Sequence, residues 1–214
     1  LCPRSPYGAS KAAARHIVKV YRESYGLYAI QGWLFNHEGT RRGEEFVTRK
    51  ITKAVNRIRN EIYLGKEVTS LELGNIDAQR DWSDAEDCVD AVWRMLNQEV
   101  FNYKIEMECK DNDISFNFIP MLQEYVVASG ETHSIREFVE NSFSEVNITN
   151  CRWDGEGITE VLWYKDSKEK VYKLVEINPA FYRPAEVERL LGQPSRIRHD
   201  LGWSPKTNFK QLVS

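Results

Sequence analysis

Tyr7 and Lys11 are the two residues whose types and spacing most directly indicate chemistry. Residues four apart lie on the same face of a helix. An ammonium group beside a phenol lowers the phenol's pKa, because its charge stabilises the phenolate. Such a pair can remove a hydroxyl proton while hydride leaves the same carbon. Tyr164 and Lys168 have the same spacing in a polar stretch where we expect no chemistry, so spacing alone does not identify a catalytic pair.

The residues around Tyr7 predict the helix that would position it. Pro6 fits a first helical turn, and Gly26 ends a helix over residues 7–25. The side chains with helical spacing on one face are Ala9, Ala13, Ile17, Val20 and Ser24. Residues 27–35 are nearly all apolar and predict a strand buried on both faces, as in a parallel sheet. A helix joined to such a strand through one glycine indicates an α/β unit.

Polar and basic side chains follow the predicted strand. Asn36, His37 and Arg42 come after its carboxyl end, where open α/β sheets bind ligands. The planar guanidinium of Arg42 is suited to a phosphate, although an ordinary solvated loop is the alternative. A second helix is predicted from residue 44 to a terminator at Gly65, with Lys50 near its start, where a helix favours an anion.

Shorter patterns fill the rest of the chain. Strands are predicted at 69–73, 125–128, 161–164 and 171–177. Capping-box patterns open helices at Ser83 and Ser134. The first of these helices is expected to turn its larger apolar side chains inward, namely Val89, Val92, Trp93 and Leu96. Residues 101–121 fit neither the helical nor the strand period.

Composition excludes some classes of partner. The net charge of −3 gives no global reason to expect nucleic acid or an anionic membrane. The basic residues of 41–59 are interleaved with an apolar face and lack an aromatic platform for bases. No run of about 18 apolar residues occurs. The four cysteines are scattered, so we expect no metal site and no disulfide framework, and reduced thiols in a cytoplasmic protein.

Several motifs follow one another in a fixed order. They are RSPYGASK at 4–11, LFNHE at 34–38, RRG at 41–43, FVTRK at 46–50, LGN at 73–75, RDW at 80–82 and YRPAEVE at 182–188. Taken together they closely resemble the GDP-mannose 4,6-dehydratase family of the extended short-chain dehydrogenase/reductase superfamily. The resemblance covers nearly the whole chain apart from 101–121.

The resemblance implies an internal redox dehydration of GDP-mannose with NADP as cofactor. In it, Tyr7 and Lys11 are catalytic, Lys11 also holds the nicotinamide ribose, and His37 and Arg42 contact NADP. The substrate-binding residues that it implies are Asn36, Phe46, Val47, Lys50, Leu73, Gly74, Arg80, Arg183 and Glu186. Arg80 and Arg183 would clamp the diphosphate, although for each arginine alone a surface ion pair is the commoner explanation.

The fold class expected is α/β, with an incomplete NAD(P)-binding Rossmann-type parallel sheet that lacks its N-terminal half and a smaller C-terminal α/β substrate-binding domain. Residues 1–43 would be the remnant of the first domain. Residues 44–214 would mainly bind the sugar nucleotide, with a Rossmann segment returning near 69–98. Residues 100–120 are expected to be an insertion, either a real loop or a gene-model error.

The resemblance also implies parts that this chain does not contain. No GxGxxG fingerprint occurs in its sequence. The family's Thr and Glu upstream of the catalytic Tyr, the Glu serving as base at C5, would precede Leu1. We therefore expect the chain alone to bind NADP poorly and to lack turnover. The double-Arg loop implies a homo-oligomer, a dimer or tetramer, for the full-length enzyme.

Two alternatives remain open at this point. One is a related sugar-nucleotide epimerase or reductase of the same superfamily. The other is a catalytically silent fragment or GDP-binding module, which GDP binding without NADP binding would favour.

Overall fold

A computed structural model describes residues 2–3, 5–98, 103–110, 113–120, 124–182 and 187–214. The helices are α1 (Pro6–Tyr25), α2 (Val47–Tyr63), α3 (Ala85–Leu96), α4 (Ile135–Glu145), α5 (Ser195–Leu201) and α6 (Phe209–Val213). The strands are β1 (Gly32–Leu34), β2 (Asn36–Glu38), β3 (Leu71–Leu73), β4 (Gln79–Arg80), β5 (Trp82–Asp84), β6 (Tyr103–Lys110), β7 (Asp113–Pro120), β8 (Tyr125–Val127), β9 (His133–Ser134), β10 (Cys151–Asp154), β11 (Val161–Lys165) and β12 (Val171–Ile177).

Parallel strand pairs make the first part of the architecture. β1 pairs with β8, Trp33 opposite Val126, and β2 pairs with β5, His37 opposite Ser83. Parallel pairing requires a long crossover between the strands, and α2 and α3 lie in those crossovers. The expected α/β class is confirmed.

A mixed sheet with the order β10-β11-β12-β3 forms the second part. Its first three strands are antiparallel neighbours, and β3 joins β12 in parallel. The apolar faces of α2 and α4 pack on this sheet and form the larger hydrophobic core. Its fully buried members include Ile51, Ile58, Val139, Phe143 and Leu174. The predicted strands at 161–164 and 171–177 are confirmed.

A smaller core lies between α3, β8 and α5, and it corrects the predicted inward face of α3. The buried residues of that helix include Cys88, Ala91 and Met95, which pack with Tyr125 and Trp203. The residues predicted to face inward are instead exposed, namely Val89, Val92, Trp93 and Leu96. Both stripes are apolar at helical spacing, and the stripe of Cys88, Ala91 and Met95 is the one that packs in this core.

The segment 6–35 forms the predicted helix, but its residues are less buried than predicted. α1 contains no buried residue, and on its expected inner face Ile17 and Val20 are more than half exposed. The helix is defined by its ends, since Ser5 caps the N-terminus and Gly26 takes the left-handed conformation at the C-terminus. The prediction of a long buried strand over 27–35 is wrong. β1 spans three residues, because that is the length of the ladder β8 provides.

The region 101–121 also differs from the prediction. β6 and β7 form an antiparallel hairpin in which Ile105 is opposite Phe118 and Met107 is opposite Phe116. Apolar and polar residues alternate along both strands, which is the period of a β-strand. The prediction that this region fits neither period is therefore wrong. Whether this hairpin is an insertion stays a prediction, as do the domain boundaries.

The two predicted capping boxes have different outcomes. Ser134 and Glu137 form the reciprocal pair at the start of α4, as expected. At α3 the cap is Asp84, whose carboxylate accepts a 2.7 Å hydrogen bond from the Glu86 amide. Ser83 belongs to β5 and is buried, with its hydroxyl 3.6 Å from the Cys88 sulfur.

Candidate functional site

Tyr7 stands in the first turn of α1, at a well-defined helix start. The Ser5 hydroxyl accepts a 3.0 Å hydrogen bond from the Gly8 amide, which fixes where the helix begins. The Tyr7 side chain is 71% exposed, and the Lys11 ammonium lies 5.4 Å from the centroid of its ring. The predicted one-turn spacing therefore brings phenol and ammonium together on an accessible surface.

Polar contacts hold α1 against the parallel pair. The Glu124 carboxylate accepts hydrogen bonds from Arg15 at 3.0 Å and from the Trp33 indole at 3.2 Å. Arg15 lies one further turn along the helix from Lys11. Burial opposes charge on Glu124, but these two donors outweigh it and lower the carboxyl's pKa. This link could not be predicted from local spacing, because Glu124 is far from Arg15 along the chain.

Tyr164 and Lys168 have the same spacing as Tyr7 and Lys11, but they are not on a helix. Tyr164 lies on β11, so a residue four positions later is not beside it as on a helix. Its ring stacks on Tyr172 at 6.1 Å, and burial raises the pKa of its phenol. The expectation of no chemistry there is consistent with these contacts.

Glu38, at the carboxyl end of β2, organises the loop that carries Arg42. Its carboxylate is buried and accepts a 2.7 Å hydrogen bond from Thr48, in the first turn of α2. Arg42 Nε lies 3.1 Å from the same oxygen. The Arg42 guanidinium also covers the Phe46 ring at 3.5 Å. Burial raises the pKa of Glu38, against the opposing influence of Thr48 and Arg42.

One predicted cofactor residue and one predicted substrate residue, Arg42 and Phe46, thus meet at this loop. Arg42 and Phe46 are in contact, and His37 Nδ1 lies 3.1 Å from the Phe35 carbonyl oxygen. Asn36 is half-buried beside them on β2. An open cleft of about 650 Å³ adjoins Glu38 and Arg42. Glu38 was not among the predicted site residues, and its place in the LFNHE motif was the available signal.

Lys50 lies on the other side of α2, in a second cleft of about 710 Å³. Its ammonium donates a 2.7 Å hydrogen bond to the Glu72 carbonyl and lies 4.1 Å from the Phe181 ring centroid. Burial lowers the pKa of Lys50, although the Glu72 carboxylate opposes this. Phe181 was not predicted, and its position just before the YRPAEVE motif was the available signal.

Gly74 and Leu73 are adjacent in the sequence but have different structural environments. A Cβ on Gly74 would lie 2.6 Å from the Phe181 carbonyl oxygen, so glycine is required for the chain to pass this close. The side chain of Leu73 is in the larger core, as Val47 is in part, so neither presents a free apolar side chain. The close approach that glycine allows here is to the Phe181 backbone, and the assignment of Leu73 and Gly74 to the substrate stays a prediction.

Arg80 lies on β4 and reaches a distant segment. Its guanidinium donates hydrogen bonds to the carbonyl oxygens of Gln79, at 2.8 Å, and Val187, at 2.7 Å. The other half of the predicted diphosphate clamp, Arg183, lies outside the described residues, as does Glu186.

Two further searches are limited to the described part of the chain. There, no cluster of three or more His, Cys, Asp or Glu residues could hold a metal ion. None of the helices described is long and apolar enough to cross a membrane.

Known proteins that are similar in sequence to this chain identify its family. The sequence profile described as GDP-mannose 4,6 dehydratase matches residues 1–117 and 113–214. The GDP-mannose 4,6 dehydratase of Dictyostelium discoideum is 45% identical over 214 residues, which are 99% of this chain and 51% of that protein. The Drosophila melanogaster protein of the same name is 42% identical over 212 residues, 99% of this chain and 46% of that protein. The chain spans about half the length of these curated relatives.

A solved structure agrees with the fold. The structure of RMD from Pseudomonas aeruginosa complexed with NADPH superimposes with a TM-score of 0.66 at 24% identity, covering 99% of this chain and 55% of that one. The expected incomplete Rossmann-type α/β architecture with a smaller α/β part is therefore confirmed. With its sequence matched almost from end to end by the profile and by curated relatives, the chain belongs to the GDP-mannose 4,6-dehydratase family.

Proposed function

We propose that this chain carries the Tyr–Lys pair and the nucleotide-sugar-binding region of an NADP-dependent GDP-mannose 4,6-dehydratase, a lyase. The observation that carries the proposal is the position of Lys11 beside the accessible phenol of Tyr7, in a chain of this family. The proposal assigns GDP-mannose as substrate and GDP-4-dehydro-6-deoxy-mannose as product.

Tyr7 acts as the base in the first step. Its phenolate takes the proton of the sugar's 4-hydroxyl, and Lys11 stabilises that phenolate by charge. Lys11, His37 and Arg42 would hold NADP, which would supply a reversible hydride acceptor, so that the overall reaction involves no net oxidation. Family membership and the exposure of the Tyr7 side chain support this sequence of events.

The residues assigned to NADP suit a phosphate-bearing cofactor. Lys11, His37 and Arg42 are all donors, and the Arg42 fork is held in a fixed plane by Phe46 and Glu38. NADPH in the RMD structure supports a nicotinamide cofactor for proteins of this fold. Because this sequence contains no glycine-rich fingerprint, we expect the 214 residues alone to bind NADPH weakly and to lack turnover.

Two of the residues assigned to the substrate, Lys50 and Leu73, lie in the second part of the fold. Lys50 and Phe181 face the second cleft, which suits a flat base with acceptor atoms on its edge. Guanine presents two such acceptors, O6 and N7, on one edge. Arg80 is assigned to the diphosphate, together with Arg183 and Glu186. A homo-oligomer built through the double-Arg loop is part of the same proposal.

Calorimetric titration of the purified chain tests the nucleotide assignment. We expect GDP to bind, UDP to bind more weakly, and NADPH to show no tight binding. A chain that binds NADPH tightly, or that does not distinguish GDP from UDP, contradicts the proposal. In the second case a related epimerase or reductase with another nucleotide becomes the better interpretation.

A further inference from the structure

In the second cleft a cation and a carboxylate lie side by side. Lys50 donates a 2.7 Å hydrogen bond to the backbone carbonyl of Glu72, so its ammonium is held against this residue of β3. Leu71 and Leu73, the neighbours of Glu72, are buried, whereas Glu72 is exposed and lines the cleft. The bond to the carbonyl uses one of the three N–H donors of Lys50 and leaves two for another partner. The cleft therefore offers hydrogen-bond donors directly beside an acidic side chain.

The Glu72 carboxylate can accept further hydrogen bonds. Its Oε2 accepts a 3.2 Å hydrogen bond from the Asn178 side-chain amide. Within the part of the chain that the structure describes, no hydrogen bond is made to its Oε1. A carboxylate has about four acceptor positions on its two oxygens, so one bond leaves most of them open. Glu72 can thus accept two hydrogen bonds from a ligand, one at each oxygen.

The other two acids that line the cleft are already paired. Glu176 lies on the neighbouring strand β12, and its two oxygens accept from the Ser70 hydroxyl and, at 2.8 Å, from the Lys173 ammonium. Glu44 forms an ion pair with Lys53. A ligand in the cleft that carries N–H donors is therefore best served by the carboxylate beside the cation.

A guanine base presents the matching groups along one edge. Its O6 is an acceptor, and the adjacent N1–H and 2-amino groups are donors. A carboxylate that accepts from both donors makes a bidentate pair, as it does with a guanidinium. The Phe181 ring, whose centroid is 4.1 Å from the Lys50 ammonium, supplies a flat apolar wall beside these groups. Adenine places a donor where guanine has O6, and uracil lacks the amino group, so neither base makes all three contacts.

We propose that Glu72 makes this site specific for guanine: its carboxylate accepts from N1–H and the 2-amino group, while Lys50 donates to O6. The inference rests on the proposed placement of GDP in the second cleft and adds to it the residue that reads the base. Lys50 binds an acceptor that uracil also offers through its O4 atom, so the cation contributes affinity and the carboxylate contributes selectivity. Glu72 immediately precedes the LGN motif at 73–75 and was not among the predicted site residues.

Calorimetric titration with GDP and inosine diphosphate tests the assignment, because inosine diphosphate differs from GDP only in lacking the 2-amino group. We expect the chain to bind GDP about tenfold more tightly than inosine diphosphate. In Glu72→Gln this preference should fall below about threefold, since a carboxamide has one acceptor oxygen and turns its NH₂ group towards a donor. The Glu72 side chain is exposed, so the variant should fold, and circular dichroism checks that it does.

Glu176→Gln is the matched control, because this acid lines the same cleft and its oxygens are both occupied. It should change the affinity for both nucleotides equally and keep the preference for GDP. A preference that survives in Glu72→Gln, or that is lost in Glu176→Gln instead, overturns the proposal. A wild type that binds both nucleotides equally also overturns it and leaves the GDP site standing, whereas a wild type that binds neither contradicts the proposed function as well.

Discussion

Thr48 donates a 2.7 Å hydrogen bond to the buried carboxylate of Glu38, and this bond ties the start of α2 to the end of β2. The same oxygen contacts Arg42, so the loop between strand and helix is fixed from both sides. Arg42, assigned to the cofactor, and Phe46, assigned to the substrate and in contact with Arg42, therefore share one support.

Replacing Thr48 by Val should destabilise the chain by about 1–3 kcal/mol, because the buried carboxylate loses a donor. Thr52→Val is the control, since Thr52 is on the same helix and donates only to the Arg49 carbonyl, at 3.2 Å. That change should stay within about 0.5 kcal/mol. Urea unfolding measures both, and equal stability of the two variants would contradict the role of the Glu38 contact.

The link between Glu124 and α1 predicts a pH dependence. The pKa of Glu124 is lowered below its ordinary value of 4.5 in the folded protein, so its stabilising contribution is present above 4.5 and is lost as the pH falls through the folded-state value. Glu124→Gln should thus be less stable than the wild type by about 1 kcal/mol at neutral pH. The difference should shrink as the pH falls below 4.5.

Glu23→Gln is the control for this prediction. Glu23 is on the same helix, is exposed and lies 3.7 Å from Lys19, a surface pair of little energetic weight. Unfolding followed by tryptophan fluorescence at several pH values compares the three proteins. A constant gap between the wild type and Glu124→Gln would show that the carboxylate charge does not anchor α1.

Gly74→Ala should cost about 1–3 kcal/mol, because the added methyl group meets the Phe181 carbonyl and must displace it. The same change at Gly39 places the methyl 3.5 Å from the Ala85 side chain, an ordinary contact, and should be tolerated. Gly74→Ala should also weaken GDP binding, since Phe181 lines the second cleft. Thermal unfolding and GDP titration are the measurements, and an unperturbed Gly74→Ala would refute the close approach.

Lys50→Met should raise the Kd for GDP about tenfold, since a cation held over the Phe181 ring at 4.1 Å is lost. Lys66→Met removes an exposed cation beyond the end of α2 and should leave the Kd unchanged. Both are measured by calorimetry. If the two variants bind GDP alike, the second cleft is not the nucleotide site.

Local signals in the sequence predicted some of these features and not others. α1 followed from Pro6 and Gly26, which act within a few residues of the helix ends. The buried face of α3 could not be chosen in this way, because its exposed Trp93 stripe is as apolar as its buried Met95 stripe. Only packing against β8 distinguishes the two.

In the candidate site, too, residues related by local spacing were predicted and residues brought together by the fold were not. Tyr7 and Lys11 were predicted because one helical turn brings them together. Glu38 is one acid among 32 in the chain, and only the folded structure shows that it is buried. Phe181 meets Gly74 and Lys50 from a distant part of the sequence, a contact that no spacing rule contains.

We propose above that Tyr7 is the base of a GDP-mannose dehydratase. Its most direct test is to fuse this chain behind the N-terminal half of the Dictyostelium relative and to follow conversion of GDP-mannose to the 4-keto-6-deoxy product. We predict that the fusion forms product and that Tyr7→Phe lowers the rate at least about a hundredfold, with GDP binding unchanged. A fusion that binds both GDP-mannose and NADPH yet forms no product would show that the chain is not part of such an enzyme. A Tyr7→Phe variant of undiminished rate would show that Tyr7 is not the base.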